Sequence, residues 1–224
     1  LIEEDGATTA VYYLALELAE NSDLFEFIAE CGPFTEDLAR CHFRQLLEAV
    51  EEIHKQEIVH RDIKPENILF GKNFEIKLID FGLAEYKEVS NVNKGTLTYK
   101  APEIFSESEF ETKPVDIFSL GVVLFIMTFG APPFMKAKLD DTRYKLWMAD
   151  KAMFWRITLR KRKVRLSDSL IELLEKMLTP LPSERIILED ILESTWLNEP
   201  ILDQAEVINQ METLKEKICG SGKK

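Results

Sequence analysis

Residues 60 to 70 read HRDIKPENILF, and three side chains in this stretch have types and spacing that could do chemistry together. Asp62 is a carboxylate able to orient a hydroxyl and accept its proton, Lys64 is a cation two residues on, and Asn67 is an oxygen ligand five residues on. Phosphoryl transfer asks for that set: an acceptor for the attacking proton, positive charge on the moving group, and oxygen donors for magnesium. Pro65 stiffens the backbone between them, and Ile68, Leu69 and Phe70 form an apolar strand able to wall a pocket beneath a nucleotide base. Asp80-Phe81-Gly82 follows, eighteen residues after Asp62 and directly behind the strand-like run IKLI. Asp80 can chelate a metal that bridges phosphates, and Gly82 can let the chain turn away.

The elements that must hold these groups can be read from periodicity and caps. Asp23 opens a helix that Gly32-Pro33 stops, and Thr35 opens a second one running to about Lys55, in which Leu38, Cys41, His42, Leu46, Ala49, Val50 and Ile53 keep helical period. Residues 11 to 18, VYYLALEL, are rich in strand formers and follow Asp5-Gly6, so 1–18 is expected to be a hairpin. Short strands are expected at 58–60, 67–70 and 75–79, with a turn at Gly71-Lys72-Asn73, and every long periodic segment beyond residue 101 is helical. The fold class is therefore α+β and mainly helical. In the stretch from Asn198 to Lys224, Ile201, Val207, Ile208, Met211, Leu214 and Ile218 have helical spacing, which suits a docking or regulatory tail.

Composition narrows the partners. The 224 residues are 46% hydrophobic, enough for a packed core, and carry a net charge of -12, which disfavours nucleic acid and anionic membrane and favours basic partners. Residues 1–39 hold ten Asp and Glu and no Lys or Arg, whereas 156–165, RITLRKRKVR, is a basic block expected to be a solvated face. Cys31, Cys41 and Cys219 lack metal spacing and suit a reducing compartment, hence a cytoplasmic setting with the nucleus open, and no disulfide. Residues 117–135 are uncharged, but Gly130, Pro132 and Pro133 limit the helix to about 13 residues, ~20 Å against a ~30 Å hydrocarbon core. Trp147, Phe154 and Trp155 are expected in the core, and His42 and His54 show no pattern beyond their place on the long helix.

HRDIKPEN, DFG, GTLTYKAPE at 95–103 and the pattern Asp116, Ser119, Gly121 occur in this order at family spacing, and together they make residues 1 to about 197 resemble the eukaryotic protein kinases. The resemblance implies a kinase large lobe over 19–197, two small-lobe strands and the hinge approach within 1–18, and a tail at 198–224. It implies ATP and Mg²⁺ as cofactors and protein or peptide substrates. The catalytic set is then Asp62, Lys64, Asn67, Asp80 and Thr96, with Thr96 bonding Asp62 and Lys64, and Asn67 and Asp80 holding the metal. Glu17, Ala19, Asp23, Glu66 and Leu69 surround ATP, and Asp23, Glu66 and Thr96 meet substrate. Structural positions are His60, Arg61, Phe81, Gly82, a buried ion pair of Glu103 with Arg185, and Asp116 anchoring the catalytic loop. Lys64 resembles the Ser/Thr class, and the segment 17–25 resembles the calcium/calmodulin-dependent group.

A complete member of this family also has a Gly-rich loop over the phosphates and a strand lysine paired with a helix glutamate. The first lysine in this sequence is Lys55, and only Gly6 and Gly32 precede Gly71. The expectation is a catalytic-domain fragment, inactive alone, whose small lobe lies elsewhere in a longer chain; the alternative is a pseudokinase-like interaction module. Leu181 and the Glu193-Ser194-Thr195-Trp196 stretch depart from the family pattern far from the chemistry.

Overall fold

A computed structural model describes residues 2–4, 7–9, 13–160 and 166–221, with backbone alone at 2–4, 7–9 and 219–221. Strands β1 (Ile2–Glu4) and β2 (Ala7–Thr9) pair antiparallel, then come helices α1 (Leu24–Cys31) and α2 (Glu36–Lys55). Strands β3 (Ile68–Phe70) and β4 (Ile76–Leu78) form a second ribbon, and β5 (Val89–Ser90) pairs with β6 (Phe110–Glu111) across α3 (Glu103–Ser106). The rest is helical: α4 (Lys113–Phe129), α5 (Thr142–Ala149), α6 (Lys151–Arg160), α7 (Asp168–Met177), α8 (Leu188–Leu192) and α9 (Gln204–Ser221).

Local chemistry sets these helix ends. The Asp23 carboxylate accepts from Glu26 N and the Thr35 hydroxyl from Leu38 N, so both helices begin on a side-chain cap. Glu36 and Asp37 in the first turn of α2, and His54 and Lys55 in its last, complement the helix dipole. The uncharged run belongs to α4, which lies at the centre: every residue from Val115 to Thr128 is buried, with α2 and α7 packed against it. A helix buried on all sides needs apolar residues all round, which is why the segment reads like a membrane span. No helix among the described residues is long and apolar enough to cross a membrane. Gly130 ends α4 in a left-handed conformation, φ +78°, donating its N–H to Ile126 O.

Trp147, Phe154 and Trp155 are core residues with edge-to-face rings 5.1 to 6.0 Å apart. Val207 and Met211 of α9 are buried, with Ile208, Leu214 and Ile218 packed at the edge of the core; α9 lies on α1, where Cys31 Sγ donates to Leu214 O at 3.2 Å. Ile201 stays exposed. Leu181 is exposed, whereas Trp196 is buried and donates to Glu36 Oε1 at 2.8 Å. The basic block leaves the described residues at 161, as do the Asp5-Gly6 turn, residues 10–12 and the side chain of Cys219.

Two strand expectations are corrected. The described second strand of the hairpin is Ala7–Thr9, and 13–18 is not a strand: Tyr13, Leu14, Leu16 and Leu18 are all more than 70% exposed. Strand-forming residues become a strand only where a neighbour supplies hydrogen bonds and cover, and nothing among the described residues does so there. Residues 58–60 reduce to one bridge, Val59 with Glu85.

Candidate active site

The loop from His60 to Asn67 enters from the C-terminal end of α2, and a carboxylate beneath it fixes its course. Asp116, in the first turn of α4 and fully buried, accepts from His60 N and Arg61 N at 2.8 Å each, and meets His54 Nε2 at 3.0 Å. These bonds hold Arg61 at φ +67°, a left-handed conformation that costs a side-chain-bearing residue about 1 kcal/mol or more. The His60 ring accepts from Asp62 N at Nδ1 (3.3 Å) and donates from Nε2 to Ile79 O (2.9 Å), which fixes a neutral tautomer, and it packs 4.9 Å from the half-exposed Phe81 ring. His54 belongs to this scaffold too, although its sequence setting gave no hint of a partner 62 residues away.

On this base stands the cluster around Asp62. Its Oδ1 accepts from Thr96 N at 2.9 Å and Thr96 Oγ1 at 2.8 Å, while Oδ2 meets Lys64 Nζ at 2.6 Å and Asn67 Nδ2 at 3.4 Å. Lys64 Nζ also donates to Thr96 Oγ1 at 3.1 Å. Burial alone would raise the Asp62 carboxyl, but the hydrogen bonds from Lys64 and Thr96 and the Lys64 charge outweigh it and hold the group below its ordinary value. It is thus an ionised acceptor with defined geometry. Gly95 makes the approach of Thr96 possible: at φ +96°, an added Cβ would lie 2.6 Å from Arg61 O.

Asn67 Nδ2 donates to Asp62 O at 2.9 Å, leaving its amide oxygen as the ligand atom a cation could take. Ile79 N donates to Asn67 O at 3.0 Å, so Asp80 follows directly on the strand beside Asn67. The left-handed residue at this turn is Asp80, φ +63°, and not Gly82, whose N–H instead caps the Asp80 carboxylate at 3.2 Å. Asp80 is exposed. Two oxygen donors suit a magnesium ion that takes its remaining ligands from phosphates and water, and no cluster of three or more His, Cys, Asp or Glu able to hold a metal occurs among the described residues.

The segment expected to face a nucleotide runs along β3. Asn21 N donates to Phe70 O (2.9 Å) and Phe70 N to Ser22 O (3.1 Å), while Asp23 and Leu69 form a bridge, so residues 21–23 lie along the edge of the β3–β4 ribbon, and Ala19, half-buried, precedes them in the chain. Glu17 is exposed and pairs with Lys77 Nζ at 2.9 Å, Lys77 being the β4 partner of Leu69. Glu66 is exposed on the turn before Asn67, where the Tyr99 hydroxyl bonds it; burial, then the nearby Glu66 and Asp62 charges, raises that phenol.

Arg61 turns away from Asp62. Its buried guanidinium bonds Glu85, Ser90 Oγ (3.1 Å) and Val92 O. Glu85 was not foreseen: it meets Arg61 and bridges to Val59 only through tertiary folding, and no local sequence signal marks it. Glu103 and Arg185 form a separate bidentate pair, 2.6 and 2.9 Å, both fully buried, with further bonds from the guanidinium to Pro114 O and Thr179 O.

Comparison with known proteins agrees with this geometry. The protein kinase domain family matches residues 4–197. CBL-interacting protein kinase 11 of Oryza sativa subsp. japonica is 35% identical over 87% of this chain and 38% of its own length. A probable myosin light chain kinase of Dictyostelium discoideum is 39% identical over 82% of this chain and 38% of its own, and an SNF-related serine/threonine-protein kinase of Rattus norvegicus is 36% identical over 85% and 25%. The chain thus spans well under half the length of these relatives, and with a carboxylate-anchored loop, an ionised Asp62 and a family match over most of its residues it belongs to the protein kinase domain family.

Proposed function

We propose that this chain carries the larger part of a Ser/Thr protein kinase catalytic domain, transferring the γ-phosphoryl group of ATP to protein hydroxyls. The observation that carries the reading is the Asp62 carboxylate, ionised and held by Lys64, Thr96 and Asn67. Asp62 orients the substrate hydroxyl and takes its proton as the new O–P bond forms, while Lys64 spreads positive charge over the moving phosphoryl group. ATP with Mg²⁺ supplies the phosphoryl donor and charge neutralisation, and Asn67 and Asp80 would hold the ion. Leu69 and the backbone near Glu17 and Ala19 would hold the base, with Asp23 near the ribose. In this reading the kinase lobe is 19–197 and 198–224 is a docking or regulatory tail, in a cytoplasmic or nuclear setting that suits free thiols.

These 224 residues alone are expected to transfer phosphate negligibly, because groups that cover and pair the phosphates in this family are not among them. The check is a radiolabelled-ATP assay on a basic peptide. Joined to a segment that supplies the Gly-rich loop and strand lysine, the chain should turn over within the ~1–100 s⁻¹ range of kinases and lose this on Asp62→Asn. Comparable turnover by the 224 residues unaided would sink the first expectation, and full activity of the Asp62→Asn form would sink the mechanism. A chain inactive in both settings would favour the interaction-module reading.

Basic substrates are the expected class. Asp23 spends one carboxylate oxygen on Glu26 N and keeps the other, and Glu66 is exposed, so both can meet an arginine three residues upstream of the acceptor. Ile126, on buried α4, offers arginine two residues upstream an apolar wall instead. A positional peptide library reads both preferences.

A further inference from the structure

The strongly acidic chain places a lysine pair beside its candidate active site. Lys100 follows the turn at 97–99 and leads into α3; Lys138 lies in the loop between α4 and α5. The Lys100 ammonium is 6.0 Å, and the Lys138 ammonium 5.5 Å, from the centre of one ring, Phe105. Among the described residues neither reaches a carboxylate at ion-pair distance, whereas neighbouring Lys136 is paired with Asp140 at 2.7 Å. Lys100 is half-buried and donates to Asn93 Oδ1, a neutral acceptor, at 2.7 Å. Removal of Lys100 from water lowers its ammonium below the ordinary value, with Arg61 adding to this and Asp62 opposing it, as expected of a cation whose charge is incompletely met.

Its position relative to Asp62 is bounded by Gly95. The Cβ direction of Gly95 leads to a point 3.7 Å from Lys100 Cε and 3.8 Å from Asp62 Oδ1, so those two atoms are separated by no more than about 7.5 Å. An acceptor hydroxyl seated on Asp62 brings its chain neighbour within reach, since consecutive Cα atoms are ~3.8 Å apart. The partners decide which neighbour. Tyr99 closes the turn 97–99 and meets Glu66, where upstream arginine is expected, whereas Lys100, where the chain becomes extended, meets different partners, Asn93 and Phe105.

We propose that Lys100 and Lys138 form a subsite that selects an Asp or Glu side chain immediately downstream of the phosphorylated hydroxyl. Phe105 holds the two ammonium groups against its ring and keeps them from folding back on the surface. The inference rests on the kinase reading, and names the substrate that reading leaves open: basic before the acceptor and acidic after it.

The test uses the complete protein and matched peptides carrying Glu, Ala or Lys directly after the acceptor. Glu is expected to exceed Ala by about tenfold in kcat/KM, as one charge-assisted contact would give, with Lys lowest. Lys100→Glu should invert the order, and Lys138→Glu should flatten it. Turnover that is indifferent to this position, or a Glu preference that survives both variants, overturns the subsite while leaving the kinase reading intact. No turnover on any peptide overturns both. Should Lys100→Glu fail to fold, the unmodified protein's own order of preference and Lys138→Glu still decide the question.

Discussion

Glu103→Ala is expected to lower the unfolding free energy by about 3–5 kcal/mol, a large part of the ~5–15 kcal/mol that typically holds a domain together. Glu103 and Arg185 are both fully buried, so removing the carboxylate strands a guanidinium that cannot shed its proton. The carbonyls of Pro114, Thr179 and Pro180 remain around it, but dipoles alone do not replace the charge. Substituting Glu103 and Arg185 together by apolar residues of similar volume should cost much less, because the cost lies in the orphaned cation. Urea denaturation of single and double variants measures both; a single-variant loss under about 1 kcal/mol would show that the pair is not the clamp its geometry implies.

Acid should unfold this protein through His42. Its ring is buried between Phe34 and Phe70, and neither nitrogen has a hydrogen-bond partner among the described residues. Burial pushes it down to about 4 from 6.5, so the folded state resists a proton that the unfolded chain accepts. The sign follows. Stability is fully present above pH 6.5 and falls as pH drops towards 4, by about 3 kcal/mol at the limit. Other groups titrate in that window, and His42→Leu separates them: near pH 7 the variant should match or exceed the parent, and by pH 4.5 it should be roughly 2–3 kcal/mol ahead. Parallel stability-against-pH curves for the two proteins would rule out this account.

The same residue shows where reading the sequence stops. His42 fits the helical period of α2, and period says which face is buried but not what waits there. Caps and breakers are local, so Asp23, Gly32 and Thr35 placed α1 and α2 from sequence, and the uncharged run placed α4. Asp62, Lys64 and Asn67 could be grouped because one short loop carries all three. His54, Glu85 and Lys100 could not, since their roles depend on partners brought together by tertiary folding: Asp116 at 62 residues' remove, Arg61 at 24, and a phenylalanine shared with Lys138. The overextended hairpin failed for the converse reason. Strand propensity from 13 to 18 is real, but it acts only against a neighbouring strand.

Arg40, on α2, reaches Glu199 at 2.6 Å and Pro200 O at 2.9 Å, and Glu36 one turn earlier takes bonds from Ser167 and Trp196. These contacts join positions 131 to 160 residues apart, and Cys31 to Leu214 spans 183. A ribosome adding ~5–20 residues per second therefore releases α2 roughly ten to thirty seconds before its last partners exist. During that interval Arg40 has only the carboxylates of its own helix, and Leu38, Leu46 and Val50 face water or whatever protein shields them. α2 is thus made well before α9 but completed only once the segment at 196–202 exists, and that wait is a period in which this chain is exposed to aggregation.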